Sequence, residues 1–170
     1  MTTPAFRVRP ARTSDVRAIT QLVEPLVQKR ILLGKELVVL FESVQEFVVA
    51  VDDDGGEVIG CGALHVIWED LGEVRTLAVA DGWLGRGVGH GILTALEDAA
   101  LALGVSRLFC LTFEVDFFTR HGFTEIDGQA VDPDVYVELL RSYDEGVAEF
   151  LDLERVKPNT LGNTRMLRQL

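Results

Sequence analysis

The chain has 170 residues, 48% of them apolar, and a mean hydropathy of +0.21, which is enough apolar material for one domain with a sizeable core and argues against disorder. Its formal charge of −11 and isoelectric point near 4.6 argue against nucleic acid or an anionic membrane as partner. Both cysteines, Cys61 and Cys110, sit in apolar runs, no signal-peptide core precedes them, and no apolar run is long enough to span a bilayer. Buried free thiols and a cytoplasmic location are the expectation.

Taken in chain order, Phe6 to Arg9 reads as a short strand ending at Pro10. Thr13 or Ser14 can cap a helix whose apolar face is Val16, Ile19, Val23 and Leu26, with Pro25 expected to kink or split it. Ile31-Leu32-Leu33-Gly34-Lys35 is an apolar stretch closed by a glycine and a cation, and Leu37 to Ser43 reads as a second short helix. Phe47 to Val51 is a strand, Asp52 to Gly56 a turn, and Val58 to Trp68 the next strand. A tight connection, Glu69 to Gly72, leads into the strand Glu73 to Val79. The helical spacing of Val88, Ile92, Leu96, Ala99 and Leu103 predicts a long helix stopped by Gly104. Arg107 to Thr112 then returns as a strand parallel to its predecessor, by a right-handed crossover. A short helix (Phe117 to His121) and a short strand (Phe123 to Ile126) follow. Asp132-Pro133 is a good helix start. It precedes an apolar stripe of Tyr136, Leu139, Tyr143, Val147 and Phe150, with Pro158 as an interruption and Asn163 to Leu170 as a closing strand. No internal repeat, linker or second domain is visible, so residues 1–170 read as a single domain in which 131–158 is the least typical segment.

The stretch that carries chemistry is Leu84-Gly85-Arg86-Gly87-Val88-Gly89, between a buried strand and a helix. Alternate glycines let backbone approach a ligand closely, and the helix behind them offers unsatisfied N–H groups and a positive dipole end, a combination suited to phosphate. Spacing separates it from other glycine loops. The sixth position of a dinucleotide fingerprint would be His90 or Ile92, and Gly-Lys-Ser/Thr occurs nowhere. The loop resembles the acetyl-CoA loop of the GNAT N-acetyltransferase superfamily, Gln/Arg-x-x-Gly-x-Gly/Ala, at Leu84, Gly87 and Gly89. Leu84 departs from the usual Gln or Arg, and Arg86 is placed to supply the missing charge.

The resemblance extends through Arg9-Pro10-Ala11, Ile31-Leu32-Leu33, Phe47-Val48-Val49-Ala50, Gly60 to His65, Glu73 to Val79 and Phe117-Phe118-x-x-x-Gly122-Phe123. Together these are similar to N-acetylglutamate synthases, in particular short stand-alone forms of the acetyltransferase domain. The likeness covers most of residues 6–126 and resumes near Asn163-Thr164; the kinase-like domain of the long forms has no counterpart here. It implies an α/β (α+β) fold with a mixed, mostly antiparallel central sheet flanked by helices. It also implies acetyl-CoA as cosubstrate and the α-amine of L-glutamate as acceptor, hence a place in arginine biosynthesis.

Residue by residue, the resemblance implies Glu73 as general base, acting directly or through one water. Backbone N–H near Leu77, Ala78 and Val79 would hold the thioester oxygen, and the same strand would pair with the pantetheine arm. Leu84, Gly85, Arg86, Gly87, Val88 and Gly89 would take the pyrophosphate, helped by His90. Many GNAT enzymes place a Tyr acid where this chain has Phe118, so Thr112 is assigned as acid or donor, and Phe117 and Phe118 as walls of the cofactor arm. For the acceptor, Leu33, Lys35, Arg75, Thr76, Asn163 and Thr164 are the candidates. An Arg of the long forms falls at Gly162, which leaves glutamine open as the acceptor. Another amino acid, a peptide terminus or a small amine keeps the same chemistry, and a non-catalytic CoA-binding sensor is a third reading. His65, His90 and His121 lack the spacing of a metal site. The oligomeric state is open, with a homodimer compatible with the sequence.

Overall fold

The computed structural model describes residues 5–156 and 162–170; the expected interruption at Pro158 lies outside them. Seven strands form one sheet in the order β1-β2-β3-β4-β5-β7-β6. β1 (Phe6–Pro10), β2 (Phe47–Asp52), β3 (Val58–Trp68) and β4 (Leu71–Val79) run antiparallel in sequence. β5 (Arg107–Thr112) lies parallel to β4, as the crossover requires, and β7 (Thr164–Gln169) pairs antiparallel with β5 and with the two-residue β6 (Thr124–Glu125). The β3–β4 connection is tighter than the sequence suggests. Leu71 and Gly72 are already strand, because Leu71 is fully buried and pairs with Arg107.

The crossover helix α3 (Val88–Leu103) covers one sheet face through Val88, Ile92, Leu93, Leu96 and Ala100. It lies close. A Cβ at Gly62 of β3 would stand 2.7 Å from Ile92 Cγ2, so the Gly60-Cys61-Gly62 run is what admits the helix. The short α4 (Val115–Arg120) joins this layer through Phe118. On the opposite face α1 (Val16–Gln28) and α2 (Leu37–Glu42) pack on Val49, Val51, Cys61 and Ala63. Farther along that face α5 (Pro133–Leu139) and α6 (Glu145–Phe150) cover Ile67, Leu71 and Phe109.

Two expectations need correction. Pro25 does not split α1, which runs on to Gln28. The proline stands one turn from the helix end and is exposed, so the carbonyl it leaves unbonded, that of exposed Gln21, faces water. The stripe of residues 136–150 is not one helix. Tyr143 is 99% exposed, and the chain breaks between α5 and α6 because Asp144 caps a new helix, its side chain accepting the Val147 N–H.

What positions the site is an interruption in the sheet. β4 and β5 pair only over Leu71–Gly72–Glu73 against Arg107–Leu108–Phe109, and beyond Glu73 the strands diverge. On its other edge β4 slips against β3, where Cys61 pairs with Ala78 but Ala63 with Arg75. The extra β4 residue makes a bulge, and Thr76 takes φ +54°, a left-handed value costly for a β-branched side chain. The Cys61 thiol, 3.3 Å from the Thr76 carbonyl, braces it from below.

Candidate active site

The gap between β4 and β5 opens into a cavity of about 700 Å³. Its lining includes nearly every residue singled out from the sequence: Leu33, Lys35, Glu73, Arg75, Thr76 and the β4 run Leu77–Val79. At the α3 end it takes in Leu84, Gly85, Gly87, Val88, Gly89 and His90, and from the far wall Thr112, Phe117, Phe118 and Asn163. Two residues stand apart. Arg86 is exposed and lies over the Trp83 ring at 5.4 Å, outside the lining, and Thr164 sits opposite Thr112 in the β5–β7 ladder. The charge expected from Arg86 is therefore not aimed at the cavity in this conformation.

The loop end is built from backbone. Gly85 and Gly87 have φ of +71° and +83°, which favour glycine, and Gly87 is the cap position of α3. The first N–H groups of α3 have no carbonyl one turn back to bond. A Cβ at Gly89 would stand 3.3 Å from the Phe117 ring, so the glycine keeps the passage between loop and aromatic wall open. Such a cradle fits a phosphate-bearing ligand. His90 and His121 meet ring to ring there, with Nδ1 of His90 2.8 Å from Nε2 of His121. Since His121 Nδ1 must donate to the Phe117 carbonyl (2.7 Å), its Nε2 accepts from His90 when the pair is neutral.

Along β4 the donors are fixed by register. Ala80 N–H donates to Ile59 O (2.8 Å) on the β3 side, so alternation turns the Val79 N–H to the opposite edge, which faces the gap. Thr112 is buried, and its Oγ accepts the Glu114 N–H at 2.8 Å, which leaves the hydroxyl proton free to be given. Phe118 is 5% exposed in the α3-side core, so it is wall and core at once.

Glu73 is only 4% exposed, so it is not a solvated strand-end carboxylate. Arg75 Nε donates to its Oε2 at 2.7 Å, and burial of the pair is nearly complete on both sides. Burial raises the Glu73 pKa above the ordinary carboxylate value, against the opposing charge and hydrogen bond of Arg75. Lys35 is half-buried; desolvation, then the like charge of Arg75, lowers its pKa. Among the described residues no cluster of three or more His, Cys, Asp or Glu is arranged to hold a metal.

Sequence reasoning missed the contribution of α6. Asp144 makes a two-pronged ion pair with Arg75, Nη2 to Oδ1 at 2.7 Å and Nη1 to Oδ2 at 3.1 Å. Gly146 and Glu149 line the same cavity. Burial, then the nearby charge of Glu73, pushes the Glu149 carboxyl up to about 7. The signal that was available is Asp144 as a cap ahead of an apolar run; nothing in it reveals that the cap side chain would meet β4. Arg165 does not replace the cation lacking at Gly162, because its guanidinium is spent on the carbonyls of Glu149 (3.3 Å), Gly128 (3.2 Å) and Phe150 (2.8 Å).

A mixed sheet parted at its centre, with a glycine cradle and helix N-terminus at one end of the gap and a buried carboxylate at the other, defines an acyltransferase fold. The chain belongs to the acetyltransferase (GNAT) family, whose model matches residues 22–123. It is 60% identical over 161 residues to an amino-acid acetyltransferase of Mycobacterium tuberculosis, covering 94% of this chain and 92% of that protein. A crystal structure of a Mycobacterium tuberculosis protein in complex with CoA and NLQ superposes with a TM-score of 0.93 at 58% identity, over 96% of this chain and 99% of that one. An N-acetylglutamate synthase of Neisseria gonorrhoeae, complexed with coenzyme A and N-acetyl-glutamate, matches with a TM-score of 0.77. At 24% identity, and with 99% of this chain covering 36% of that one, it supports the fold alone. Among the described residues no helix is long and apolar enough to cross a membrane.

Proposed function

We propose that this chain transfers the acetyl group of acetyl-CoA to the α-amine of a free amino acid, with L-glutamate as acceptor, as the first step of arginine biosynthesis in the cytoplasm. The observation that carries the reading is the position of Glu73. It is a buried carboxylate at the point where β4 and β5 part, with a cradle for phosphate at one end of the cavity and a half-buried lysine, Lys35, on its wall.

Acetyl-CoA supplies an activated acyl thioester. An α-amino group with a reference pKa of about 8 is mostly protonated at neutral pH, so a proton must leave before nitrogen attacks. Glu73, made more basic by burial, takes that proton directly or through one water. The Val79 N–H is preorganised toward the gap and holds the carbonyl oxygen as charge gathers there. The Thr112 hydroxyl is the donor for the departing sulfur. Lys35 meets a carboxylate of the acceptor, with Leu33, Thr76 and Asn163 around it.

One observation favours glutamine as a second reading. Arg75 is committed to Glu73 and Asp144, and Glu149 adds acid to the same cavity. Lys35 is then the cation beside Glu73 that can serve the α-carboxylate, and a neutral amide side chain needs no second one there. Thiol release from acetyl-CoA, followed with a panel of free amino acids, peptides and polyamines, tests both readings. Release with glutamate or glutamine supports an amino-acid acceptor and ranks the two; release only with peptides or polyamines refutes it. CoA binding without turnover on any acceptor would make the chain a sensor.

A further inference from the structure

The segment least like the family in sequence turns out to touch the catalytic carboxylate through one intermediary. Arg75 is 8% exposed, and its guanidinium is held on two sides, by Glu73 through Nε and by Asp144 through both terminal nitrogens. Asp144 is itself held, since its Oδ1 accepts the Val147 N–H (2.9 Å) and its N–H donates to Ser142 Oγ (3.2 Å). Arg165 ties the other end of α6 to β7 through the Glu149 and Phe150 carbonyls. At Gly146 there is no room for a side chain, because a Cβ there would overlap the Arg75 guanidinium. The backbone of α6 therefore packs flat on the arginine.

We propose that Asp144 is a positioning residue for Glu73: it fixes Arg75 in the orientation that orders the carboxylate, and it shares the arginine's charge so that Glu73 stays basic enough to accept the amine proton. The proposal rests on Glu73 being the base. A guanidinium paired with Glu73 alone would be held from one side only and would keep Glu73 a weak base; the second carboxylate braces the arginine and offsets part of its charge. Other charged or titratable groups act on Glu73 from every side. They are His65 on β3, bonded to Glu46, Cys110 on β5, Lys35 after α1, Glu149 on α6 and Arg165 on β7. Glu149 shares the cavity and its carboxyl is pushed up to about 7, so the profiles below are run in wild-type and Glu149→Gln backgrounds, the second removing that carboxyl from the titration.

The experiment is the pH dependence of kcat/KM for the acceptor in Asp144→Asn and Gly146→Ala. Asparagine keeps the cap and the shape but deletes the charge, so Arg75 acts wholly on Glu73 and the acid limb moves to lower pH. Alanine keeps every charge but displaces the guanidinium from Glu73, and the acid limb moves to higher pH. Opposite displacements are the expected result. Limbs that stay in place while the melting temperatures fall, or that move in the same direction, overturn the proposal, because a merely structural contact predicts them. Should Gly146→Ala fail to fold, the direction of the Asp144→Asn limb decides alone. Absence of acetyl transfer by the wild-type protein is a separate result that overturns the functional reading first.

Discussion

Replacing Glu149 by Gln isolates the cost of keeping an acid inside the cavity. Burial, then Glu73, lifts this carboxyl from 4.5 to about 7. The folded state therefore holds a proton that the unfolded chain has released, and between those two values stability is lost as pH rises. The gap of about 2.5 pH units corresponds to at most about 3.4 kcal/mol at about 1.4 kcal/mol per unit. Glu149 is only half-buried, so screening by water reduces the expected effect to about 1–2 kcal/mol. Glutamine carries no such penalty. Urea denaturation of both proteins should give equal stabilities near pH 4, with the variant ahead by about 1–2 kcal/mol near pH 8.5. A wild-type protein that keeps pace with the variant across that range would show Glu149 to be an ordinary solvated carboxylate, and the reasoning about acid in this cavity would fall.

Glu73→Gln should reduce turnover by about 10²- to 10⁴-fold, the usual share of a general base, while acetyl-CoA affinity measured by calorimetry stays near wild type. A rate within a few-fold of wild type would point to another base. Gly87→Leu forces a side chain into φ +83° at the loop and should abolish CoA binding in the same calorimeter; normal binding would mean that the cradle lies elsewhere. Gly62→Ala puts a methyl into the Ile92 contact and should cost about 1–3 kcal/mol in urea without altering which amino acid is acetylated. No loss of stability would show that α3 shifts freely on the sheet.

How much of this was legible in the sequence depends on how local each feature is. The strands, the loop and α3 announce themselves through period and punctuation, since Val88, Ile92, Leu96 and Gly104 obey rules that operate within a few turns. The cavity residues from Leu77 to Gly89 followed from the same stretch. The split expected at Pro25 did not occur because the penalty of a proline depends on where the freed carbonyl points, which a sequence does not state. Tyr143 misled because its spacing suits a stripe whose helix has already ended at Leu139. Asp144 was beyond reach for a different reason: it meets Arg75 across 69 positions, and no period or cap rule spans that distance. The bulge at Thr76 belongs to the same class, being set by how β3 and β4 register rather than by Thr76 itself.

The brief pairing of β4 with β5 has a mechanical side. Seven strands joined at their middle by a three-residue seam behave as two plates sharing a short hinge, with α3 crossing from one to the other. A cosubstrate lying in the slot would act as a rivet, completing the missing ladder with its own amides. Rigidity would then be something the cosubstrate delivers, the loaded sheet being bridged where the empty one is held only by that seam.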